Sequence, residues 1–241
     1  MCLATDRIKT MHVALIPDGN RRWARKRGLF PWQGHIEGMK NLEKILKKAF
    51  ELKIPYFTFW GMSADNVLKR PKKEVEVLFS IFKRQFKKIA KSREIQKEGV
   101  KVNVFGLWKK FFPEEVKNAI KEAIEKTKKN KNFVLTFLLA YNGTDEMLEA
   151  IRKIVKKAKK EEIEISEKTL LENLWTGELP PVDLVIRTGC EGDPHNSAGF
   201  MMWHTAYSQF YFTETYFPDF SPEEFEKAIE NFLKRERRFG G

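Results

Sequence analysis

The chain has 241 residues, enough for one α/β domain with a large core, and its 42 % hydrophobic content is that of a globular rather than a disordered protein. Forty-five Lys and Arg against 33 Asp and Glu leave a formal charge of +12, which points to anionic partners: nucleic acid, an acidic membrane surface or phosphorylated small molecules. No apolar run reaches the ~18 residues of a membrane span, the first residues lack an apolar secretory core, and Cys2 and Cys190 stand outside any Cys-x-x-Cys pair, so the expected setting is cytoplasmic, with free thiols and neither a disulfide framework nor a structural zinc.

In chain order, residues 12–17 (HVALIP) are short, apolar and β-rich. Residues 38–52 carry Met39, Leu42, Ile45, Leu46 and Ala49 on one helical face. A buried strand is expected at 56–61, then a long helix over 72–98 with Val75, Leu78, Phe79, Phe82, Phe86 and Ile89 spaced three or four apart. A strand follows at 101–106, a helix from Pro113 to near Asn130, a strand at 133–141, a helix at 144–160 and a shorter helix after Ser166. Strands at 182–188 and 209–213 precede a last helix, with Ser221 as cap, Pro222 first and Glu224 third. Lysines interleaved with glutamate at 83–97 and 117–131 read as solvated helix faces.

Strands without polar alternation are covered on both faces, and here they alternate with helices. The expected fold is α/β: a single domain over 1–241, with an open, mostly parallel six-stranded sheet wrapped by about seven helices. Ligands of such sheets bind beyond the carboxyl ends of the strands, which directs attention to the loops after Ile16, Gly61, Ile186 and Phe212.

The first loop is Asp18-Gly19-Asn20-Arg21-Arg22-Trp23. Gly19 permits a close turn, free N–H groups at a helix start and two arginines suit an anion, and Asp18 could hold Mg²⁺ against a diphosphate or simply cap the helix. It is neither a Gly-x-Gly-x-x-Gly motif nor a Walker loop, which removes support for dinucleotide or ATP binding. The second loop, 61–71, offers Ser63, Asp65, Asn66 and Arg70; the third, 187–200, is long, polar and glycine-rich. His195 and His204 lack partners at zinc-binding spacing.

Together these segments resemble the cis-prenyltransferase family, makers of undecaprenyl diphosphate and related Z-polyprenyl diphosphates. The match runs through HVALIPDGNRRW, Gly28, Gly34-His35, Ser63 to Asn66, Arg70-Pro71, DLVIRT at 183–188, residues 206–212, Phe217-Pro218-Asp219-Phe220 and the RERRFGG tail. The resemblance implies an apolar tunnel, Mg²⁺, a homodimer, and an allylic prenyl diphosphate condensed with isopentenyl diphosphate. It makes Asp18 the central catalytic and metal-holding residue and credits Asn66 with helping proton removal. Gly19, Asn20, Arg21, Arg22, Trp23 and His35 would hold the allylic diphosphate. Ser63, Asp65, Arg70, Arg187, Asn196 and Ser197 would complete the substrate site, and Arg238 and Gly240 of the tail would reach a partner subunit's site. The product's chain implies transient contact with a membrane surface. No adjacent Asp pair is present, so the Asp-rich motif of trans-prenyltransferases is absent. The Phe79, Phe82 and Phe86 stripe could line the tunnel or pack in the core.

The chain departs from the family pattern at Pro17 for Met, Pro31 for Arg, Asp65 for Glu and Val67 for Trp, and in a longer segment at 193–200. Gln209 stands where a Glu helps hold the metal, a neutral and poorer ligand. The allylic side (Asp18, Asn20, Arg22, His35) keeps the pattern except at Pro31, whereas the acceptor side keeps Arg187 but loses one Arg and one carboxylate. These changes raise irregular coupling with dimethylallyl diphosphate, or a non-catalytic subunit of a heteromeric prenyltransferase, as alternatives. A nucleic-acid-binding protein would need exposed aromatics along a basic stripe, whereas the Phe residues follow core spacing.

Overall fold

All six apolar runs form strands in the computed structural model, which describes residues 7–235; Cys2, Arg238 and Gly240 lie outside the described residues. The strands are β1 (His12–Ile16), β2 (Tyr56–Met62), β3 (Val100–Phe105), β4 (Phe133–Leu139), β5 (Leu184–Arg187) and β6 (Gln209–Phe212). They pair in the order β3-β4-β2-β1-β5-β6, every pairing parallel. β1 is central and wholly buried. Its side chains alternate between the two faces: Val13 and Leu15 join the larger core, Ala14 and Ile16 the smaller one. The register sets Ile16 beside Arg187 and Arg187 beside Phe212, so three loops leave from one edge.

Ten α-helices are found among the described residues, against about seven expected: α1 (Asn20–Arg25), α2 (Pro31–Glu51), α3 (Ala64–Lys69), α4 (Lys72–Lys91), α5 (Arg93–Lys97), α6 (Trp108–Phe111), α7 (Glu114–Thr127), α8 (Gly143–Ala158), α9 (Glu167–Leu171) and α10 (Pro222–Lys234). The excess comes from short pieces. The helix expected over 72–98 stops at Lys91, because Ser92 is extended and its Oγ accepts from Ile95 N at 3.2 Å, capping α5. Part of the loop expected at 61–71 is α3, capped by Ser63 Oγ on Asn66 N at 3.0 Å. α2 begins earlier than its apolar face suggests: Pro31 is its first residue, and Phe30 N donates to Gln33 Oε1 at 2.9 Å. None of the helices is long and apolar enough to cross a membrane.

The larger core lies under α2, α4, α7 and α10. Phe86 meets Phe137 edge-on at 5.1 Å and Phe79 packs on Phe112 at 4.7 Å. These two therefore serve the core, fully buried Phe86 contributing about 1.5–3 kcal/mol and partly buried Phe79 less, while Phe82 also reaches the cleft described below. Two glycines let α2 press on α1: a Cβ at Gly34 would stand 1.9 Å from Asn20 O, and one at Gly38 2.2 Å from Asn20 Oδ1.

Candidate active site

The loops that leave the carboxyl edge of β1, β2 and β5 enclose a cleft of about 540 Å³. Polar residues from 18–25, 63–70 and 187–198 form its outer part; Met39, Phe59, Leu78, Phe82 and Phe217 line its inner end. One compartment thus offers a charged mouth and an apolar interior.

Asp18 stands at the mouth with its side chain 39 % exposed. Its Oδ2 accepts from Arg187 Nη2 at 2.9 Å, its Oδ1 from Gly19 N at 2.6 Å, and Arg22 Nη2 lies 3.1 Å from Oδ1. Its carbonyl accepts from Phe217 N at 3.0 Å and Thr188 Oγ1 at 2.8 Å, so distant segments fasten the loop. Capping does not explain Asp18: Gly19 is the N-cap of α1, left-handed at φ 96° and without a side-chain cap. Only glycine fits there, since a Cβ would meet Tyr216 Cδ1 at 2.5 Å.

Arg187 is buried. Its Nη1 donates to His195 O at 2.7 Å and Ser197 Oγ at 2.8 Å, and its Nε has no hydrogen-bond partner. Arg22 donates to Gly189 O at 2.7 Å and pairs with Glu191 at 2.6 Å. Burial draws the Arg22 pKa down, but Glu191 and Asp18 outweigh it and the net shift is upward. Glu191 is held down to about 2, first by the Tyr216 hydroxyl and then by Arg22.

A second cluster centres on Glu74. Buried Glu74 takes Arg70 at 3.2 Å, His35 Nε2 at 3.1 Å and Arg21 Nε at 3.4 Å. His35 Nε2 also lies 3.1 Å from Arg70 Nη1, so it accepts from Arg70 in the tautomer whose proton is on Nδ1 and donates to Glu74 when Nε2 carries a proton, one at a time. Burial first, then the Arg70 and Arg21 charges, outweigh Glu74 and hold His35 below the usual imidazole range.

The structure thus gathers Asp18, Gly19, Asn20, Arg21, Arg22, His35, Ser63, Asp65, Asn66, Arg70, Arg187 and Ser197 on one cleft. Asn20 is nearly buried, with Nδ2 donating to Pro17 O at 2.8 Å and Oδ1 unpartnered. Trp23 faces elsewhere. Its Nε1 donates to Asp219 Oδ1 at 2.7 Å, tying α1 to the short 3₁₀ turn Phe217–Asp219. Asn196 is exposed, and its Oδ1 accepts from Ser197 N at 3.0 Å. Gln209 opens β6 opposite Leu184, at the amino end of the sheet, with Arg235 at 3.4 Å; the fold does not bring it to Asp18 within this chain. Arg25, Glu74, Glu191 and Tyr216 were not singled out from the sequence. Glu74 lies four residues beyond Arg70, its partner at 3.2 Å, and that spacing is its one local cue, whereas Glu191 sits in a loop and meets Arg22 only across the fold.

The family model described as "Putative undecaprenyl diphosphate synthase" matches residues 16–240. The chain belongs to this family of prenyl transferases. It is 40 % identical over 232 residues to a tritrans,polycis-undecaprenyl-diphosphate synthase (geranylgeranyl-diphosphate specific) of Pyrococcus abyssi, covering 95 % of this chain and 86 % of that one. It is 41 % identical to an isoprenyl transferase of Aquifex pyrophilus, covering 95 % of both. Its fold superposes on lavandulyl diphosphate synthase from Lavandula x intermedia, solved in complex with dimethylallyl diphosphate, with TM-score 0.88 and 30 % identity over 98 % of this chain and 100 % of that one. This prenyl transferase is an α/β protein built on a six-stranded parallel sheet.

Among the described residues no three His, Cys, Asp or Glu side chains cluster as a metal cage. A cage is not what Mg²⁺ requires: it usually takes one or two carboxylates and completes its shell with water and substrate phosphates. Asp18, a half-exposed carboxylate between two arginines at the mouth, fits that role. Glu191, on the other side of the Arg22 guanidinium, is the second carboxylate nearby.

Proposed function

We propose that this prenyl transferase joins an allylic prenyl diphosphate to isopentenyl diphosphate in the cleft and releases a Z-polyprenyl diphosphate and inorganic diphosphate. The observation that carries the reading is Asp18, held between Arg22 and Arg187 at the charged mouth of a cleft with an apolar inner end. The C–O bond of the allylic substrate breaks with its electron pair going to the diphosphate. The alkene of the acceptor forms the new C–C bond, and a proton passes to the departing diphosphate, which restores a double bond. Arg22, with Arg21 and Arg25 near it, faces the leaving diphosphate, where negative charge grows. Arg187 and Ser197 hold the acceptor's diphosphate. Asp18 would hold Mg²⁺, which supplies charge neutralisation on the departing diphosphate. Asn66, whose carboxamide is no base, orients the acceptor for proton loss, with Ser63 and Asp65 beside it and Arg70 and His35 behind. The apolar end receives the growing hydrocarbon. Asp18→Asn is expected to lower kcat/KM by about 10²–10³-fold with an unchanged unfolding midpoint; full turnover in that variant removes Asp18 from the mechanism.

A homodimer is part of this proposal. Leu148, Ile151 and Val155 make an exposed apolar stripe on α8, about half exposed each. The start of α8 is tied to the segment carrying Met202 and Trp203 through Gly143 N on Ala198 O at 3.0 Å. Beyond that segment β6 forms an edge of the sheet with Phe210 stacked on Phe212.

A second reading has specific support: the plant relative above was solved with dimethylallyl diphosphate, and Arg187 Nη1 is engaged by the 193–197 segment, where the sequence departs from the family pattern. Purified chain with Mg²⁺, a set of allylic primers including geranylgeranyl diphosphate, and each acceptor in turn separates the two by product mass. Elongation only with isopentenyl diphosphate rejects irregular coupling. Activity of the lone chain rejects a non-catalytic subunit.

A further inference from the structure

Tyr216 precedes the short 3₁₀ turn Phe217–Asp219 and is 8 % exposed. Segments distant in sequence meet on it. Its ring lies against the backbone of Gly19, where a Cβ would stand 2.5 Å from Cδ1. From α1 and the residue that ends it, the Arg22 guanidinium stands 5.4 Å and the Lys26 ammonium 4.7 Å from the centroid of that ring. The Tyr216 hydroxyl donates to Glu191 Oε1, in the loop after β5. That loop is tied in turn to the segment leading into Tyr216, through Gly189 N on Thr215 O at 2.9 Å and Cys190 N on Thr213 O at 3.0 Å.

The consequence falls on Arg22. Its Nη1 donates to Glu191 Oε2 at 2.6 Å and its Nη2 to Gly189 O at 2.7 Å, while the Tyr216 ring attracts the guanidinium and limits its tilt. The two oxygens of Glu191 are divided: Oε2 serves Arg22, and Oε1 serves the Tyr216 hydroxyl, with Lys26 at 3.5 Å. Glu191 is aimed there from a left-handed backbone, φ 44°, that a glutamate adopts only at a cost. The phenol acts twice in the same direction. It fixes Glu191, and through it the fork of Arg22. It also draws charge out of the Glu191 carboxylate, so that this anion repels a diphosphate at Arg22 less.

We propose that Tyr216 is a positioning residue for prenyl transfer: with its ring, and through Glu191 with its hydroxyl, it holds the Arg22 guanidinium toward the departing diphosphate. The inference rests on the prenyl-transfer reading and deepens its leaving-group side. Charge grows on the diphosphate as the C–O bond breaks, and a guanidinium already held in place needs no reorientation at that moment.

The test uses the purified full chain with Mg²⁺ and inorganic diphosphate as the probe, titrated by calorimetry, because the free anion carries the charge that the transition state develops. Tyr216→Phe keeps the ring on Gly19 and Arg22 and removes only the hydroxyl. It is expected to weaken diphosphate binding about five- to tenfold and to lower kcat/KM for an allylic diphosphate by a similar factor. In an Arg22→Ala background, which keeps Arg21, Arg25 and Arg187 on the cleft, the same substitution is expected to change neither quantity. A merely structural role is felt whether or not Arg22 is present, so an equal loss in that background overturns the proposal. Unchanged affinity and kcat/KM in Tyr216→Phe alone overturn it as well. Diphosphate affinity needs no turnover. An inert parent chain that shows the expected affinities therefore counts against the prenyl reading alone, and an active parent chain indifferent to Tyr216→Phe counts against the role of Tyr216 alone.

Discussion

At the scale of single residues, the site is organised by arginines that each satisfy several acceptors. Arg187 alone reaches Asp18, Ser197 and the His195 carbonyl from a buried position. Lysine at 187 keeps the charge but has no planar fork and cannot span all three acceptors. Arg187→Lys is therefore expected to lower kcat/KM sharply and to cost about 1–3 kcal/mol of stability, read from steady-state kinetics and a denaturant midpoint; a variant unchanged in both would contradict the geometry. The residues of this half of the site were legible where chemistry and local order coincide. Asp18, Gly19 and Arg22 form one contiguous loop after an apolar run, and the fold keeps them together. Trp23 was not separable from them, because only the fold shows its indole turned toward Asp219. Glu74 was hidden for the opposite reason: it lies in an amphipathic helix where one more Glu among Lys reads as surface, yet its side chain is 2 % exposed.

At the scale of elements, boundaries depend on single caps more than on periodicity. The apolar stripe of α4 runs on past Lys91, but Ser92 breaks it by accepting from Ile95 N. α3 escaped notice because six polar-leaning residues give no periodic signal, and the Ser63 cap is the only local cue. Gln209 teaches a related lesson. Motif position placed it with a metal ligand, but strand register decides which end of a sheet a residue occupies, and register depends on pairing with Leu184 far back in the chain. The α1–α2 contact is the element-scale feature that most directly supports the site. Gly34→Ala would drive a methyl into the Asn20 carbonyl, whose oxygen and carbon would lie 1.9 and 2.8 Å from the new Cβ. Backbone cannot step aside as a side chain can. The variant is expected to lose about 1–3 kcal/mol, seen as a lower thermal midpoint, and also turnover, since α1 carries Arg21 and Arg22. An unchanged midpoint would show that the helices can separate freely.

At the scale of the whole molecule, two expectations follow. Ile151→Glu places a charge in the α8 stripe and is expected to convert a dimer to monomers in sedimentation; a dimer that survives must use another face. The second concerns acid. His12 lies fully buried on β1, its Nδ1 donating to Pro180 O at 2.9 Å and its Nε2 paired with Thr58 Oγ1 at 2.8 Å. His204 lies nearby, buried as well. Burial, the largest cause for each, lowers both from 6.5 to about 4. The unfolded chain takes up these protons below pH 6.5, while the fold resists until about pH 4. Stability is therefore complete above pH 6.5 and drains as pH falls from 6.5 to 4. Thermal midpoints across that window should show the decline, and His12→Gln should make it shallower; a flat profile in the parent protein would mean that the histidines are hydrated.

The central place of β1 has a consequence for how the chain is made. One edge of β1 can pair with β2 early, but His12 N finds the Asp183 carboxylate only across a separation of 171 residues. At a ribosome's ~5–20 residues per second, that is an interval of roughly ten to thirty seconds. Throughout it the middle strand of the future sheet has an open flank, and the Asp18 loop lacks both Thr188 and Phe217, which fasten its carbonyl. A nascent chain halted before β5 would carry most of the cleft's arginines and no working mouth. The last third of synthesis thus acts as a timer on activity: truncations that end before residue 217 should be inert, and those that end before residue 184 should also be prone to pair through the bare flank of β1.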